Sequence, residues 1–232
     1  MGAPDARLRQ AAVNSGAVPI RDAATVVVLR ERPEGPAVLM GRRGAQAVFM
    51  PSKYVFPGGA LDACDAGIAA MAQLPPEHAG RLGPGAAALA ACAIRELWEE
   101  TGQILGRRGD WPDPPAGWRG FAATGHCPDA SALVPVFRAI TPPGRPRRFD
   151  ARFFLAPATA LASDPDDFGR AEDELTHLHW VPLARVHDLD LPDITRLVLH
   201  EVEARRDDLR ADRPLPFFNG TTAAESFDSS GS

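Results

Sequence analysis

Lysine is almost missing from this chain. Lys53 is the single lysine among 25 basic residues, and all the others are arginine. Beside so much alanine, proline and glycine, that bias points to a GC-rich genome more than to a function. Cysteine is scarce as well. Cys64, Cys92 and Cys127 are odd in number and widely spaced, so neither a disulfide framework nor a zinc pattern follows, and a reducing cytoplasm fits best. No stretch reaches the ~18 apolar residues of a membrane span, and the N-terminus lacks the apolar core of a signal peptide. No internal repeat is visible. Net charge is −5, which argues against general nucleic-acid binding. What is present is ordinary: 45% hydrophobic and 24% charged residues in a chain of 232, enough for one soluble domain with a sizeable core.

Residues 1–20 carry no clear period and read as a flexible N-terminal arm. Ala24 to Leu29 and Ala37 to Met40 are short apolar runs joined by a Pro/Gly hairpin connection, and Val48 to Phe56 reads as a third extended stretch. A short helix is predicted from Ile68 to Leu74, with breaks at Pro75-Pro76 and Gly83-Pro84-Gly85. Ala86 to Thr101 reads as a long helix and residues 106–120 as an irregular surface loop. His126 and Cys127 are expected in a loop with no third metal ligand at a convincing spacing. Leu133 to Ile140 and Arg152 to Ala156 read as strands joined by a turn at Thr141 to Gly144. His177 and His179 alternate near a further strand, Leu178 to Leu183. Asp190 is placed to cap a last helix from about Pro192 to Arg210, which would bury Ile194, Leu197, Val198 and Val202. Hairpins mixed with two main helices exclude a doubly wound sheet. They fit an α/β fold of the α+β type over residues 21–210, followed by a C-terminal tail, 211–232, whose end is expected to be disordered.

One stretch carries chemistry. In Arg95-Glu96-Leu97-Trp98-Glu99-Glu100-Thr101-Gly102, three carboxylates fall at i, i+3 and i+4 on one helical face. Ile94, Leu97, Trp98 and Thr101 fall on the other, with Trp98 expected in the core. Gly102 is a natural residue for closing the helix in a left-handed turn. Like charges at this spacing repel, and a hard divalent cation with oxygen ligands would offset the repulsion. Upstream, Phe56-Pro57-Gly58-Gly59 precedes an acidic loop with Asp62 and Asp65.

Together these residues resemble the Nudix box, G-x5-E-x7-R-E-U-x-E-E-x-G-U with U aliphatic. Gly59 matches the first glycine, and Arg95, Glu96, Leu97, Glu99, Glu100 and Gly102 match the second half without a gap. Asp65 replaces the first glutamate and Gln103 stands where an aliphatic residue is usual. Relative to the pattern, about 22 residues are inserted between the two halves. This insertion, at about residues 66–86, is expected to lie outside the core and to tolerate shortening. Two further runs, Met50 to Asp62 and Pro146-Arg147-Arg148-Phe149-Asp150-Ala151-Arg152-Phe153-Phe154-Leu155-Ala156, resemble the split-box coenzyme A diphosphatase branch: the peroxisomal coenzyme A diphosphatase and its bacterial relatives.

The resemblance implies the Nudix fold, a mixed sheet sandwiched between helices, and a metal-dependent hydrolase that cleaves a diphosphate. It implies Mg²⁺ or Mn²⁺ held by Glu96, Glu99 and Glu100, with the Gly59 carbonyl joining them. Arg95 would pair with a box carboxylate. Glu174 would act as a further ligand or general base, with Glu172 and Asp173 as competitors. Arg42, Arg43, Arg147 and Arg148 are the candidates for substrate phosphates, since arginine forks suit bidentate contact. Their other reading is strand-end charge or an ion pair with Asp150. For His177 and His179 solvent-facing or packing roles outweigh a ligand role, and for Phe153 and Phe154 core packing outweighs base stacking. The implied substrate is coenzyme A or acyl-CoA, giving 3′,5′-ADP and a 4′-phosphopantetheine product. The alternatives are an ADP-ribose, dinucleotide or nucleotide-sugar pyrophosphatase or, in another class, a non-catalytic Nudix-fold binding or regulatory domain. Expected partners are a small-molecule diphosphate and at most a second copy of the chain in a homodimer, with no nucleic acid and no membrane.

Overall fold

The computed structural model describes residues 18–206, 208 and 213–220. Most of the expected N-terminal arm and the end of the expected tail lie outside the described residues. At the centre is β1, Ile20–Arg30, whose Ala24, Val26 and Val28 face one side of the sheet and Val27 and Leu29 the other. A strand apolar on both faces is one buried on both faces. It pairs in parallel with β8, Arg148–Pro157, along nearly its whole length. Its other edge is shared. Residues 23–25 pair with β4, Gly58–Ala60, and residues 29–30 with the start of β2, Ala37–Arg43. The sheet is extended beyond β2 by β3, Tyr54–Val55, and β9, Leu175–Pro182, and beyond β8 by β7, Val134–Ile140, and β10, Phe217–Phe218.

Helices cover both faces. Three short helices are α1 (Ala63–Gly67), α2 (Pro76–Leu82) and α4 (Arg119–Ala122), and the two long ones are α3 (Ala86–Thr101) and α5 (Asp193–Arg205). The start of α3 is nearly all alanine, and small side chains let the helix settle close to the sheet. Ala90, Ile94 and Leu97 pack with Ala24, Val26 and Val28. On the opposite face Val198, Leu199 and Val202 of α5 pack with Val27, Val136 and Leu155. This is the α+β sandwich expected. No helix among the described residues is long and apolar enough to cross a membrane.

Several expectations need correction. The insertion is not outside the core: Ile68, Ala72 and Leu74 are buried in the cluster under α3. The helix predicted from Ile68 to Leu74 is displaced. α1 begins earlier, where Asp62 and Asp65 form a reciprocal capping box, and α2 begins at Pro76 itself, because proline suits the first position of a helix. Of the extended stretch from Val48 to Phe56, only Tyr54–Val55 is strand. Met50 and Ser52 take left-handed backbone angles (φ 51° and 61°) that turn the chain away. The Gly/Pro-rich segment 106–120 is ordered around a fully buried Trp118, which meets Phe121 edge-to-face at 5.4 Å. His126 and Cys127 are buried on β6, His126–Pro128, which pairs with β5, Gly106–Arg108. Trp98 is half-buried against Phe121 and the core rather than inside it. Asp190 does not cap α5: its carboxylate accepts from Lys53 Nζ, and Pro192 stands at the cap.

Candidate active site

Two of the three acids of α3 are held by a single arginine. Arg95 Nε and Nη2 donate to the two oxygens of Asp65 at 2.8 and 2.9 Å, and Nη1 donates to Glu96 at 2.9 Å and to Glu99 at 2.7 Å. Nη2 also reaches the Ala60 carbonyl at 3.1 Å. One guanidinium therefore ties α1 (Asp65), β4 (Ala60) and α3 into one body. Asp65 is fully buried and Arg95 nearly so, which makes this a bidentate pair shielded from water. Its several carboxylate partners hold the Arg95 guanidinium firmly charged.

Glu100 takes a different partner. Its Oε2 accepts from the Gly58 backbone N–H at 2.8 Å, while its Oε1 is buried with no hydrogen-bond partner. The Phe56–Gly59 turn must approach this helix closely. A Cβ on Gly59 would come within 2.5 Å of the Glu96 carboxylate carbon, and one on Gly58 within 2.6 Å of the Ala24 carbonyl. Burial raises all three acids above the ordinary carboxylate range. Glu96 is pushed up to about 7 by desolvation despite Arg95, and burial also raises Glu100 well above the ordinary value, with Glu96 beside it adding to the effect. Glu99, half-buried, is raised less.

Chemically, the three carboxylates of α3 are oxygen donors of the kind that hard divalent cations prefer, while the Gly59 carbonyl accepts from the Cys92 thiol at 3.7 Å. The orphaned Oε1 of Glu100 is a buried polar atom that such an ion would satisfy. The acids are not drawn tightly together, because Arg95 holds Glu96 and Glu99 while Gly58 holds Glu100. Among the described residues, the group whose ligand atoms all lie within 4.8 Å of one another is instead His187, His200 and Glu203, on the turn before α5 and on α5 itself.

A cavity of about 290 Å³ opens beside the acids, lined by Glu96, Gly58 and Gly59 at one end. All three competing acids after residue 171 are exposed, and of them Glu174 lines the cavity while Glu172 and Asp173 are absent from its walls. Arg43 Nη2 donates to Glu174 Oε1 at 2.7 Å. The four arginine candidates split. Arg43 and Arg147 line the cavity, whereas Arg42 donates to the Ser52 carbonyl and Arg148 to the Thr141 carbonyl. Arg42 and Arg43 are neighbours on β2 and point to opposite faces, so that pair can supply one side chain to a given face, whereas Arg147 stands in the bend just before β8. The ion pair considered for them belongs to other arginines: Asp150 accepts from Arg138 and Arg152. His177 and His179 are exposed, and a His179 ring nitrogen bonds the His177 carbonyl. Phe153 lines the cavity and Phe154 is buried in the core under α3.

Arg21 escaped the sequence reading. It lines the cavity, and the alternation Arg21, Ala23, Thr25 along β1 was the signal for it. Asp65 reads from sequence as an acid of the loop behind the glycine turn and a substitution in the box, and the structure makes it the anchor of Arg95.

A family model for the NUDIX domain matches residues 19–202. A crystal structure of a NUDIX hydrolase from Alicyclobacillus acidocaldarius is 32% identical, with a TM-score of 0.63, over 79% of this chain and 90% of that one. The acyl-coenzyme A diphosphatase NUDT19 of Gallus gallus is 28% identical over 211 residues, 64% of this chain and 55% of that one, which fits the resemblance to the split-box branch. A Caenorhabditis elegans Nudix protein is 28% identical over 157 residues, 62% of this chain and 46% of that one. The chain thus spans about half the length of the curated relatives it matches. With most of its length covered by one family model, and with the acids, the turn and the sheet in the places described, the chain belongs to the Nudix family.

Proposed function

We propose that the protein is a metal-dependent Nudix hydrolase that cleaves the diphosphate of coenzyme A or an acyl-CoA, with 3′,5′-ADP and a 4′-phosphopantetheine as products. The observation that carries this reading is the junction of two surfaces. The buried acid face of α3 opens at Glu96 onto a cavity whose walls also hold Arg21, Arg43, Arg147 and Glu174. The run from Pro146 to Ala156 and the likeness to an acyl-coenzyme A diphosphatase support the substrate.

In this reading Glu96, Glu99, Glu100 and the Gly59 carbonyl would hold Mg²⁺ or Mn²⁺. The ion would neutralise diphosphate charge and make water a better nucleophile. Arg95, locked to Asp65, keeps the acid face and the glycine turn in register. Glu174 accepts the proton of the attacking water, and Arg43 fixes the direction of its carboxylate. The diphosphate P–O bond breaks, the water oxygen bonds to phosphorus, and each half leaves as a phosphate monoester. Arg147 supplies positive charge for the 3′-phosphate that ADP-ribose lacks. Residues 21–210 would act as one catalytic domain in a cytoplasmic setting, alone or as a homodimer.

The test is a panel of coenzyme A, acyl-CoA, ADP-ribose, dinucleotide and nucleotide-sugar substrates with Mg²⁺ and Mn²⁺, read by product mass. Coenzyme A or an acyl-CoA should give the highest kcat/KM. A wide preference for ADP-ribose or a dinucleotide would remove the substrate reading and leave the diphosphatase. No turnover of any diphosphate would favour a binding domain.

A further inference from the structure

The floor of the cavity has a regularity that single residues do not reveal. Ala60 pairs with Ala23, Ala23 with Ala151, and Ala151 with Ala139, so four alanines stand in one row across β4, β1, β8 and β7. All four line the cavity. Positions two residues away on the same strands point to the same face. On one side of the row these are Arg21 and Phe149, which are register partners, and on the other Thr25 and Phe153, also partners. The result is a trough floored by methyl groups and walled by larger side chains, running across the strands. Four strands at a spacing of ~4.8 Å make it about 14 Å long. One end lies at Ala60, next to Gly59 and the Glu96 carboxylate. At the other end Phe218 of β10 pairs with Ala139 and lines the cavity, so an aromatic ring closes the row.

We propose that this alanine trough binds the linear arm that leaves the diphosphate on the side away from the nucleotide, and that Phe218 is the stop that sets how long an arm fits. A thin, unbranched amide-and-methylene chain matches a narrow floor of methyl groups. A nucleobase is a poorer match for the floor itself, because bases are held by stacking on aromatic faces and by polar partners at their edges, and four alanines supply neither; Arg21, Thr25, Phe149 and Phe153 stand beside the row and border the arm. In coenzyme A the arm is pantetheine, with the acyl group at its far end, so the nucleotide half lies outside the trough, toward solvent. This assignment rests on the coenzyme A reading above and adds which half is enclosed and which residues measure it.

The test uses the full-length enzyme, the two products as probes and two opposed variants. Ala151→Leu fills the middle of the floor. It should weaken binding of 4′-phosphopantetheine, measured by titration calorimetry, by roughly ten-fold or more, as expected where extra methylenes enter a fitted site. Binding of 3′,5′-ADP should hold. Phe218→Ala opens the end and should shift relative kcat/KM from coenzyme A toward longer acyl-CoA chains. Because this second effect is a gain, a folding defect cannot imitate it. Loss of 3′,5′-ADP binding with 4′-phosphopantetheine retained would put the nucleotide in the trough and overturn the proposal. Unchanged binding of both products by Ala151→Leu, equal loss of both, or an unaltered chain-length profile in Phe218→Ala, would also overturn it. If the unaltered enzyme cleaves no coenzyme A or acyl-CoA, the substrate reading fails first and the trough assignment falls with it.

Discussion

At the scale of single residues, Arg95 decides more than its place in a motif suggests. It pairs with Glu96 and Glu99, two acids that would repel each other, and reaches Asp65 across the insertion. Asp65→Ala leaves that guanidinium buried without its bidentate partner. Breaking such a pair costs about 3–5 kcal/mol, so a urea titration should show that loss. Activity should fall as well, because the acid face loses its register with the glycine turn. The acids themselves behave differently. Glu99→Gln and Glu100→Gln keep the shape, and in Glu100→Gln a side-chain oxygen remains to accept from Gly58. Each should fold but lose turnover by orders of magnitude, on the order of 10²-fold or more, as when a group that organises charge in the transition state is removed. Near-normal turnover at saturating Mg²⁺ would show that the residue is no ligand. For Arg147→Ala, KM for coenzyme A should rise roughly ten-fold or more, in line with the 1.5–3 kcal/mol of a charged hydrogen bond, while dephospho-coenzyme A shows little change. Equal loss for both substrates would move the 3′-phosphate contact elsewhere.

At the scale of elements, the sequence was most legible where one period ran unbroken. The helix from Ala86 to Thr101 has the expected bounds, because alanine favours the helix and Gly102, at φ 73°, closes it. The central hairpin was legible from two apolar runs and a turn. Short elements were not. Pro76 reads as a break until its position at the start of a helix is known, and the tryptophans of 106–120 look like surface residues until a core forms around Trp118. The insertion is the instructive error. Gly and Pro content suggested a surface excursion, but Ile68, Ala72 and Leu74 are buried from turns and an irregular stretch, so their burial belongs to no regular element whose face could be read in advance. Leu74→Ala should therefore cost about 2–5 kcal/mol, the range for a buried leucine, seen as a lower urea midpoint at unchanged slope. Deletion of residues 66–86 should abolish cooperative unfolding. A deletion variant that kept a normal transition would return the insertion to the surface.

At the scale of the whole molecule, the acid face links stability to pH and to the cation. The Glu96 carboxyl is held at about 7 against an ordinary 4.5, and Glu99 and Glu100 are raised in the same direction by burial. A raised carboxyl binds its proton more tightly in the folded chain than in the unfolded one. The stability this adds is complete below the unfolded value and is lost as pH climbs through the folded one. For Glu96 that window runs from 4.5 to about 7. The slope for one such group is at most about 1.4 kcal/mol per pH unit. Chelated protein should therefore lose melting temperature steadily between these pH values, the reverse of a protein held by ordinary surface carboxylates. A divalent cation binds the ionised form, so it should add most stability at the top of the window and flatten the profile, following RT ln(1 + [L]/Kd). Glu96→Gln should remove much of the slope in chelator and much of the gain with Mg²⁺, since it takes away both the proton and the ligand. A chelated protein whose melting temperature rose across the window would show that Glu96 is already ionised there, with Arg95 rather than burial setting its charge. In that case the free enzyme would hold its acid face ready for the cation without needing to lose a proton first.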